Sequence, residues 1–455
     1  MSVKPSPEHR RRTVDPSMAV ILVCAGIVGA IGLGFVLGYD DIDLRGAIVV
    51  PAVLCFMTLP IARNMEIRRG SGLANIVTLA FVAKLIGAYV RYVIEYFVYD
   101  GGDSGLYHSS GVAYATQYLD GKRSFGSLLP TSFGTRFIEE LNGLVALASG
   151  RSILASFMIF SWFGFLGLWA IVAAVRRTLP EVDIRLYAIL VFFLPTSLFW
   201  SSALGKDAWM LLGIGLFANG AARLFTVQAR GLLFLVAGGF ATGMVRPHVT
   251  VLLLAAFTIA YTVARGRRGR ALSPILTMVT IALIAAGAAL ASDPLQELLP
   301  KSQDGITAVL DQTTERSSQG GSEIDVERPN TPLEYPWAFF TVMFRPMPYE
   351  ARSATQILSA LESLALFAAV VIWRRRIYAA IGRLLTVPFL RFSVLYTLAF
   401  AFAWSSIGNL GIMARQRVQV LPFLLILICW TAYDERRSPR PSLHHGSVPI
   451  DRASV

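Results

Sequence analysis

The feature that most constrains this chain is a series of apolar runs, each close to the 20 or so residues needed to cross a bilayer's hydrocarbon core as a helix. They run Met18–Gly38, Gly46–Ala62, Leu73–Val98, Ser152–Val175, Ile184–Trp200 and Asp207–Phe225, then Gly231–Val245, Pro247–Ala264, Leu272–Ala291, Ser353–Trp373, Phe389–Ser406 and Gln416–Tyr433. That makes about twelve, with a range of roughly 10 to 13, because the pair around Arg246 is short. Backbone polar groups in lipid must be satisfied within the chain, so only helices or closed barrels span it. Barrel strands would alternate polar and apolar residues; these runs are continuous. The expected fold is all-α, a polytopic transmembrane helix bundle.

Composition agrees. Charged residues make up 15% of the chain and hydrophobic ones 55%, against roughly 25% charged in a soluble domain. The formal charge of +12 would suggest nucleic acid for a soluble protein. Here the basic residues flank apolar runs, where they orient helices by the positive-inside rule, so no nucleic-acid partner is expected. Arg10, Arg11 and Arg12 precede a first run long enough to span, without a convincing cleavage site, which reads as an uncleaved helix. Cys24, Cys55 and Cys429 lie inside apolar runs and make neither a disulfide framework nor a CxxC site.

With the amino terminus inside, alternate loops carry the arginines: Arg63, Arg68 and Arg69; Arg176 and Arg177; Arg223 and Arg230; Arg265, Arg267, Arg268 and Arg270; Arg374, Arg375 and Arg376; Arg436 and Arg437. A bacterial plasma-membrane protein with both termini cytoplasmic is expected, residues 1–17 and 434–455 forming disordered ends around a bundle over 18–433. Two long loops, Tyr99–Arg151 and Ser292–Arg352, then lie outside and carry short amphipathic helices. In the first, Gly101 and Gly102 supply a turn, with Asp103 or Ser104 capping the helix that follows. In the second, the polar stretch around 317–332 returns through YPWAFFTVMFRPMPYE, whose aromatics and prolines suggest a re-entrant or interfacial element. No internal repeat appears, which weighs against a transporter built from two halves.

Lys84, Arg91 and Glu95 stand at offsets that return to nearly one helix face, and Arg91 can pair with Glu95 at i,i+4. Charges at that depth must face the bundle interior or a wet cavity; a structural ion pair plus a snorkelling lysine is the plainer account. The helix leads into Asp100, Asp103, Tyr107 and His108. An aspartate in a Gly/Ser turn is usually a cap, yet one at a membrane boundary can also serve as a general base. Lys206 and Asp207 open a helix at an outer turn, where N–H groups attract anions. Arg246 and His248 flank Pro247, Arg345 sits in FRPMP, and Arg415 and Arg417 open the last helix. All fall on the side of Asp103, and such cations either bind a lipid phosphate or anchor helix ends to headgroups. Tyr107, Trp200, Trp209 and Trp337 are aromatic candidates to line a groove or stack on a ligand. Asp41-Ile-Asp43 is formally a DxD in a short turn, and His108 and His248 are single; no metal site is expected, although a divalent cation stays open. No Walker or Rossmann fingerprint appears in context.

The early outer loop reading Asp-x-x-x-Tyr-His, with the stretches FGTRFIEELNGLVALASGRSILAS and FLPTSLFWSSALGKDAWMLLGIGLFANG, resembles the polytopic GT-C glycosyltransferases that use polyprenyl-phosphate sugars, the protein mannosyltransferase and aminoarabinose transferase types among them. The likeness runs from the third helix to Arg246. It departs from the family pattern in having Ser104 where a second acid is common, and no large soluble domain after the last helix. The resemblance implies a lipid-linked sugar as donor, a glycan, lipid or protein acceptor, and Asp103 as catalytic base. The acceptor hydroxyl would attack the anomeric carbon with inversion, while Lys206, Arg246, His248, Arg345, Arg415 and Arg417 hold the departing lipid phosphate; Tyr107, His108, Lys84, Arg91, Glu95 and Asp207 are accessory. The alternatives are a polysaccharide polymerase or ligase acting on lipid-pyrophosphate units through the same arginines, and a transporter or flippase using the charged stripe.

Overall fold

The computed structural model describes residues 42–99, 101–267, 333–351, 353–405, 407 and 409–431. The expected helices Met18–Gly38 and Leu272–Ala291, both termini, and most of the second long loop lie outside these residues. The described chain is all-helical. In order the helices are α1 Ile42–Arg68, α2 Ala74–Phe97, α3 Asp103–Leu119, α4 Thr135–Ser149, α5 Ile153–Thr178, α6 Ile184–Phe193, α7 Pro195–Phe199 and α8 Lys206–Phe225. They continue as α9 Gly231–Val245, α10 Pro247–Arg267, α11 Tyr335–Phe344, α12 Ala354–Ile372, α13 Arg374–Ile381, α14 Pro388–Trp404, α15 Leu410–Gln416 and α16 Leu421–Ile428.

Six of the described helices are long and apolar enough to cross a membrane, or up to seven if the bent α15–α16 pair counts as one. Their outward faces are apolar too: Phe56 and Ile61 on α1, Leu79 and Ile86 on α2, and Leu361 on α12 are exposed. Water would not tolerate so continuous a surface; hydrocarbon does. The centre of the bundle is α8, sandwiched between α5 and α9. Glycines set that approach, since a Cβ on Gly167 of α5 would stand 2.2 Å from the Leu211 carbonyl, and one on Gly215 of α8 would stand 2.2 Å from that of Gly167. Small residues let helix backbones meet where no hydrophobic effect drives them together.

Two runs read as single spans are broken. Ile184–Trp200 divides at Leu194, because Pro195 cannot continue the hydrogen-bond ladder and pushes its predecessor into extended geometry. Gln416–Tyr433 becomes α15, a short 3-10 turn over Arg417–Gln419, and α16, with a 69° bend and Pro422 at the start of α16.

The first break is braced by charge from two directions. Glu362 of α12 accepts a hydrogen bond from the Thr196 amide at the start of α7 (2.6 Å). Within and just after α7, the Lys84 ammonium faces four oxygens: the Ser197 and Ser201 carbonyls (2.8 and 2.9 Å) and the Ser201 and Ser202 hydroxyls (2.7 and 2.9 Å). Lys84 is fully buried, so it does not snorkel. It adds a charged donor to carbonyls at the broken helix, of which that of Ser197 also accepts from the Ser201 hydroxyl (2.7 Å), and so fixes the course of residues 200–207.

The bundle has two chemically different ends. At one, Arg69, Arg176, Arg177, Arg223 and Arg230 gather within electrostatic reach of one another. At the other, α1 begins, α2 ends, the α3–α4 hairpin folds over, and α8, α10 and α15 start. There Asp43 caps α5 by accepting from the Ile153 amide (2.8 Å), which accounts for this half of the DxD sequence; Asp41 lies outside the described residues.

Replacing Lys84 by Met removes the only charge-assisted donor to those carbonyls among the described residues. The change is expected to cost about 3 kcal/mol of stability, read as a lowered midpoint in detergent-solubilised thermal unfolding.

Candidate functional site

The polar end holds a cavity of about 30 Å3 lined by Arg91, Glu95, Asp103, Ser104, Trp200, Ala203, Leu204, Gly205, Asp207 and Arg415, space for a few ordered waters. Its floor is Asp207, in the first turn of α8 and buried. The Asp207 carboxylate accepts from Arg415 Nε on one oxygen and from Arg246 Nη1 (3.3 Å) on the other. Arg246 also donates to Gln416, which in turn accepts from Gln419 Nε2 (2.5 Å). Chain segments far apart in sequence thus meet on one carboxylate.

Arg415 reaches outward as well, its Nη1 lying 3.4 Å from Asp103 Oδ2. The Asp103 side chain is 64% exposed, so it stands at the mouth with one cation behind it. Its helix begins differently from expectation: the N-cap is Gly102, with no side-chain cap from Asp103 or Ser104. Glu95 serves instead, accepting from the Ser104 amide (3.3 Å). A Cβ on Gly102 would fall 2.5 Å from Glu95 Oε1, so a larger residue there displaces the Glu95 carboxylate; Gly101 before it takes φ of 112°, a left-handed backbone.

Glu95 also pairs with Arg91 (3.1 Å), as the i,i+4 spacing predicts. Arg91 lies over Phe199 and Trp200, 4.8 and 5.2 Å from the ring centroids, and its buried Nε and Nη1 have no hydrogen-bond partner among the described residues. Lys206 donates to Thr135 Oγ1 (2.6 Å) and lies within electrostatic reach of Asp103, Arg246 and Arg415. Tyr107 is buried near Gly205. Burial, with the Asp103 charge adding to it, pushes its hydroxyl up to about 12, so it stays a protonated phenol.

Several expected members sit elsewhere. His248 packs on Trp404, 5.3 Å between rings. Arg345 is paired with Glu350. Arg417 is fully buried and donates to the Met343 and Arg345 carbonyls (2.8 and 3.2 Å) and to Ser363 Oγ (2.9 Å). Two residues apart, Arg415 and Arg417 point to opposite sides of the chain, about 200° around a helix. Lys84 braces α7, and His108 lies on the far side of α3, toward Asp43, where burial lowers its basicity. Of the tryptophans only Trp200 lines the cavity; Trp209 donates to the Ala241 carbonyl (2.9 Å), and Trp337 is exposed beside Phe340.

The loop before α4 leads into Thr135, the partner of Lys206. Glu140 gathers the Thr131 and Ser132 amides (2.9 and 3.1 Å) and the Ser132 hydroxyl (2.6 Å), while the Gly134 amide donates to the Met244 carbonyl (2.8 Å). This hinges the loop to the end of α9, beside Arg246. Sequence reasoning passed over Gln416, Thr135, Glu140 and Glu362. The last was visible as a lone carboxylate in an apolar run, a signal that marks an interior partner. Among the described residues no group of three or more His, Cys, Asp or Glu could hold a metal ion.

Burial raises the Glu140 carboxyl, but hydrogen bonds from Ser132 and Thr131 outweigh it and hold the group below its ordinary value of 4.5. A depressed folded-state value means stabilisation present above about 4.5 and lost as pH falls through the lower folded value. Amide exchange at Thr131 and Ser132 should therefore accelerate in acid, and Glu140→Gln should abolish that dependence.

Asp207 and Asp103 should separate in stability. Asp207→Asn leaves two buried guanidiniums facing each other and is expected to cost about 3 kcal/mol. Asp103→Asn removes one exposed pair, worth at most about 1 kcal/mol. Paired detergent melts of the two variants check this.

No protein-family model, no curated protein and no solved structure matches this chain, so what the site does has to follow from its own geometry.

Proposed function

We propose that this protein is a membrane glycosyltransferase of the GT-C kind, moving a sugar from a polyprenyl-phosphate carrier to an acceptor hydroxyl during cell-envelope glycan or glycolipid assembly. The proposal places it in a bacterial plasma membrane as a bundle of about twelve helices. The arginine-rich end faces the cytoplasm, and the Asp103 end faces away from it.

One observation carries the reading: an exposed carboxylate, Asp103, shares a cavity with a guanidinium, Arg415, that also belongs to a buried cation cluster. A base must reach bulk acceptor, whereas phosphate-binding groups must be fixed in advance. Asp103 has the first property. Arg415 and Arg246, tied to Asp207, and Arg91, with two buried nitrogens still to donate, have the second.

The cavity is too small for a sugar as it stands, so donor binding requires an exchange. The lipid phosphate takes Arg415 from Asp103, which converts a paired carboxylate into a free one turned toward the acceptor. Asp103 then accepts the acceptor proton as the hydroxyl oxygen bonds to the anomeric carbon. The bond from that carbon to the phosphate oxygen breaks, and the phosphate leaves with its charge held by Arg415, Arg246, Lys206 and Arg91. Attack opposite the leaving group inverts the centre. No step calls for a cofactor, and the sugar arrives on lipid, not on a nucleotide. Arg345 and Arg417 are engaged elsewhere, which removes two arginines from the polymerase or ligase alternative.

Purified protein supplied with a panel of polyprenyl-phosphate sugars should form a carrier-dependent glycosylated product. Asp103→Asn should lower that rate by about 100- to 10,000-fold, the scale of general-base catalysis, without a matching fall in melting temperature. Transfer at the wild-type rate by a folded Asp103→Asn protein sinks the proposal.

A further inference from the structure

The opposite end of the bundle carries more positive charge than the carboxylates among the described residues balance. Glu66, buried at the end of α1, accepts from Arg69 (3.2 Å), Arg176, Trp169 Nε1 (3.0 Å) and Ser71 Oγ (2.6 Å), so its two oxygens are spent. Beside it stand Arg177, Arg223 and Arg230. Arg177 lies within electrostatic reach of Arg223, Arg69 and Arg176, and Arg223 within reach of Arg69 and Arg230. Among the described residues no carboxylate comes within ion-pair distance of these three. Their fixed partners are neutral: Arg177 Nη1 donates to Gln228 Oε1 (3.2 Å), Arg223 Nε donates to Asn219 Oδ1 (2.7 Å), and the Arg223 guanidinium lies over the Phe234 ring, 4.6 Å from its centroid. Arg177 Nε has no hydrogen-bond partner among the described residues. Orienting a helix takes a few cations near its end; it does not require them to crowd together. Crowded guanidiniums repel, and their packing here is tolerable with an anion among them.

The surface next to this cluster identifies the anion. Three residues beyond Arg230, α9 turns an exposed apolar stripe outward: Leu233, Val236 and Phe240, at the i, i+3, i+7 spacing of one helix face. A cation cluster at the membrane boundary, continued by an apolar stripe into the hydrocarbon, has the shape of an amphiphile. We propose that Arg177, Arg223 and Arg230 bind the headgroup of an anionic phospholipid whose acyl chain lies along Leu233, Val236 and Phe240. The planar guanidiniums suit a phosphodiester. A zwitterionic lipid offers the same phosphate but brings its own ammonium into the cluster, so the site discriminates by net charge. This site is at the far end from Asp103 and does not depend on the transferase reading.

The test is made on full-length protein in dodecyl maltoside, titrated with phosphatidylglycerol, phosphatidylcholine or inorganic phosphate, with melting temperature and native mass spectrometry as readouts. Phosphatidylglycerol should be retained and raise the melting temperature, while the other two do not. In Arg177→Gln/Arg230→Gln the concentration needed for half the shift should rise about tenfold or more. Without lipid that variant should melt no lower than wild type, because like charges have been removed; a purely structural role predicts the reverse. Should the pair prove poorly folded, Arg230→Gln alone, altering one exposed side chain, reports the same loss to a smaller degree. Lys122→Gln, on the α3–α4 loop at the other end, should leave the shift intact. Undiminished phosphatidylglycerol response in a folded arginine variant overturns the proposal. So does an equal response to phosphatidylcholine or to phosphate alone.

Discussion

The polar end of the molecule is organised around one buried carboxylate. Asp207 sits in the first turn of α8, yet the residues that satisfy it come from the α9–α10 junction and from α15. Each guanidinium would be costly to bury alone, and so would the acid. Together they form a triad of net charge +1 whose geometry is set by where three helices end. Because Arg415 is held on Asp207 through Nε, its remaining nitrogens are aimed at the mouth, where Nη1 meets Asp103. The outward reach of the site is therefore a consequence of its buried foundation.

That foundation depends on irregular backbone at membrane depth. Residues 200–207 could not follow α7 into the cavity wall if α6 and α7 were one straight helix. Pro195 breaks the ladder, and the exposed backbone groups are then taken up by Glu362 on one side and Lys84 on the other. The same logic holds at the Arg417–Gln419 turn. There a fully buried arginine satisfies the carbonyls of Met343 and Arg345 and ties α11 to the last helices. Buried cations in this bundle thus divide into two kinds. Lys84 and Arg417 spend their donors on backbone oxygens and hold the fold. Arg91 and Arg415 keep donors directed at the cavity.

Much of this was legible in the chain. Apolar length located α2, α5, α8, α9, α10, α12 and α14 to within a few residues, because polarity changes where such helices begin or end, as at Gly72 before α2 and Thr226 after α8. Alternation of arginine-rich loops placed Asp103, Lys206, Arg246 and Arg415 at one end, and they meet there. The azimuth of each side chain was not legible in the same way. An end-of-helix position states depth, whereas entry to the cavity depends on rotation about the axis and on breaks that reset it. Arg415 and Arg417 show the difference, since their two-residue spacing already forbids a shared direction on a helix. His248, one residue beyond Pro247, was likewise at the right depth and turned to the wrong face. The pairing of Arg91 with Glu95 was readable because both lie on one uninterrupted helix, where rotation is fixed by count alone.

The contrast between the two acids finally separates their chemistry. Asp207 accepts from two guanidiniums in a buried setting, and a carboxylate so engaged has neither a free oxygen nor a path to an incoming hydroxyl. Asp103 is tied to the cluster by a single long contact at 3.4 Å and is otherwise open. An anion arriving at Arg415 competes with that contact and with nothing else, since the bond to Asp207 uses a different nitrogen. Binding of negative charge and release of Asp103 are in this way the same event. On the proposed transferase reading, this ion pair is what couples the base to the presence of donor.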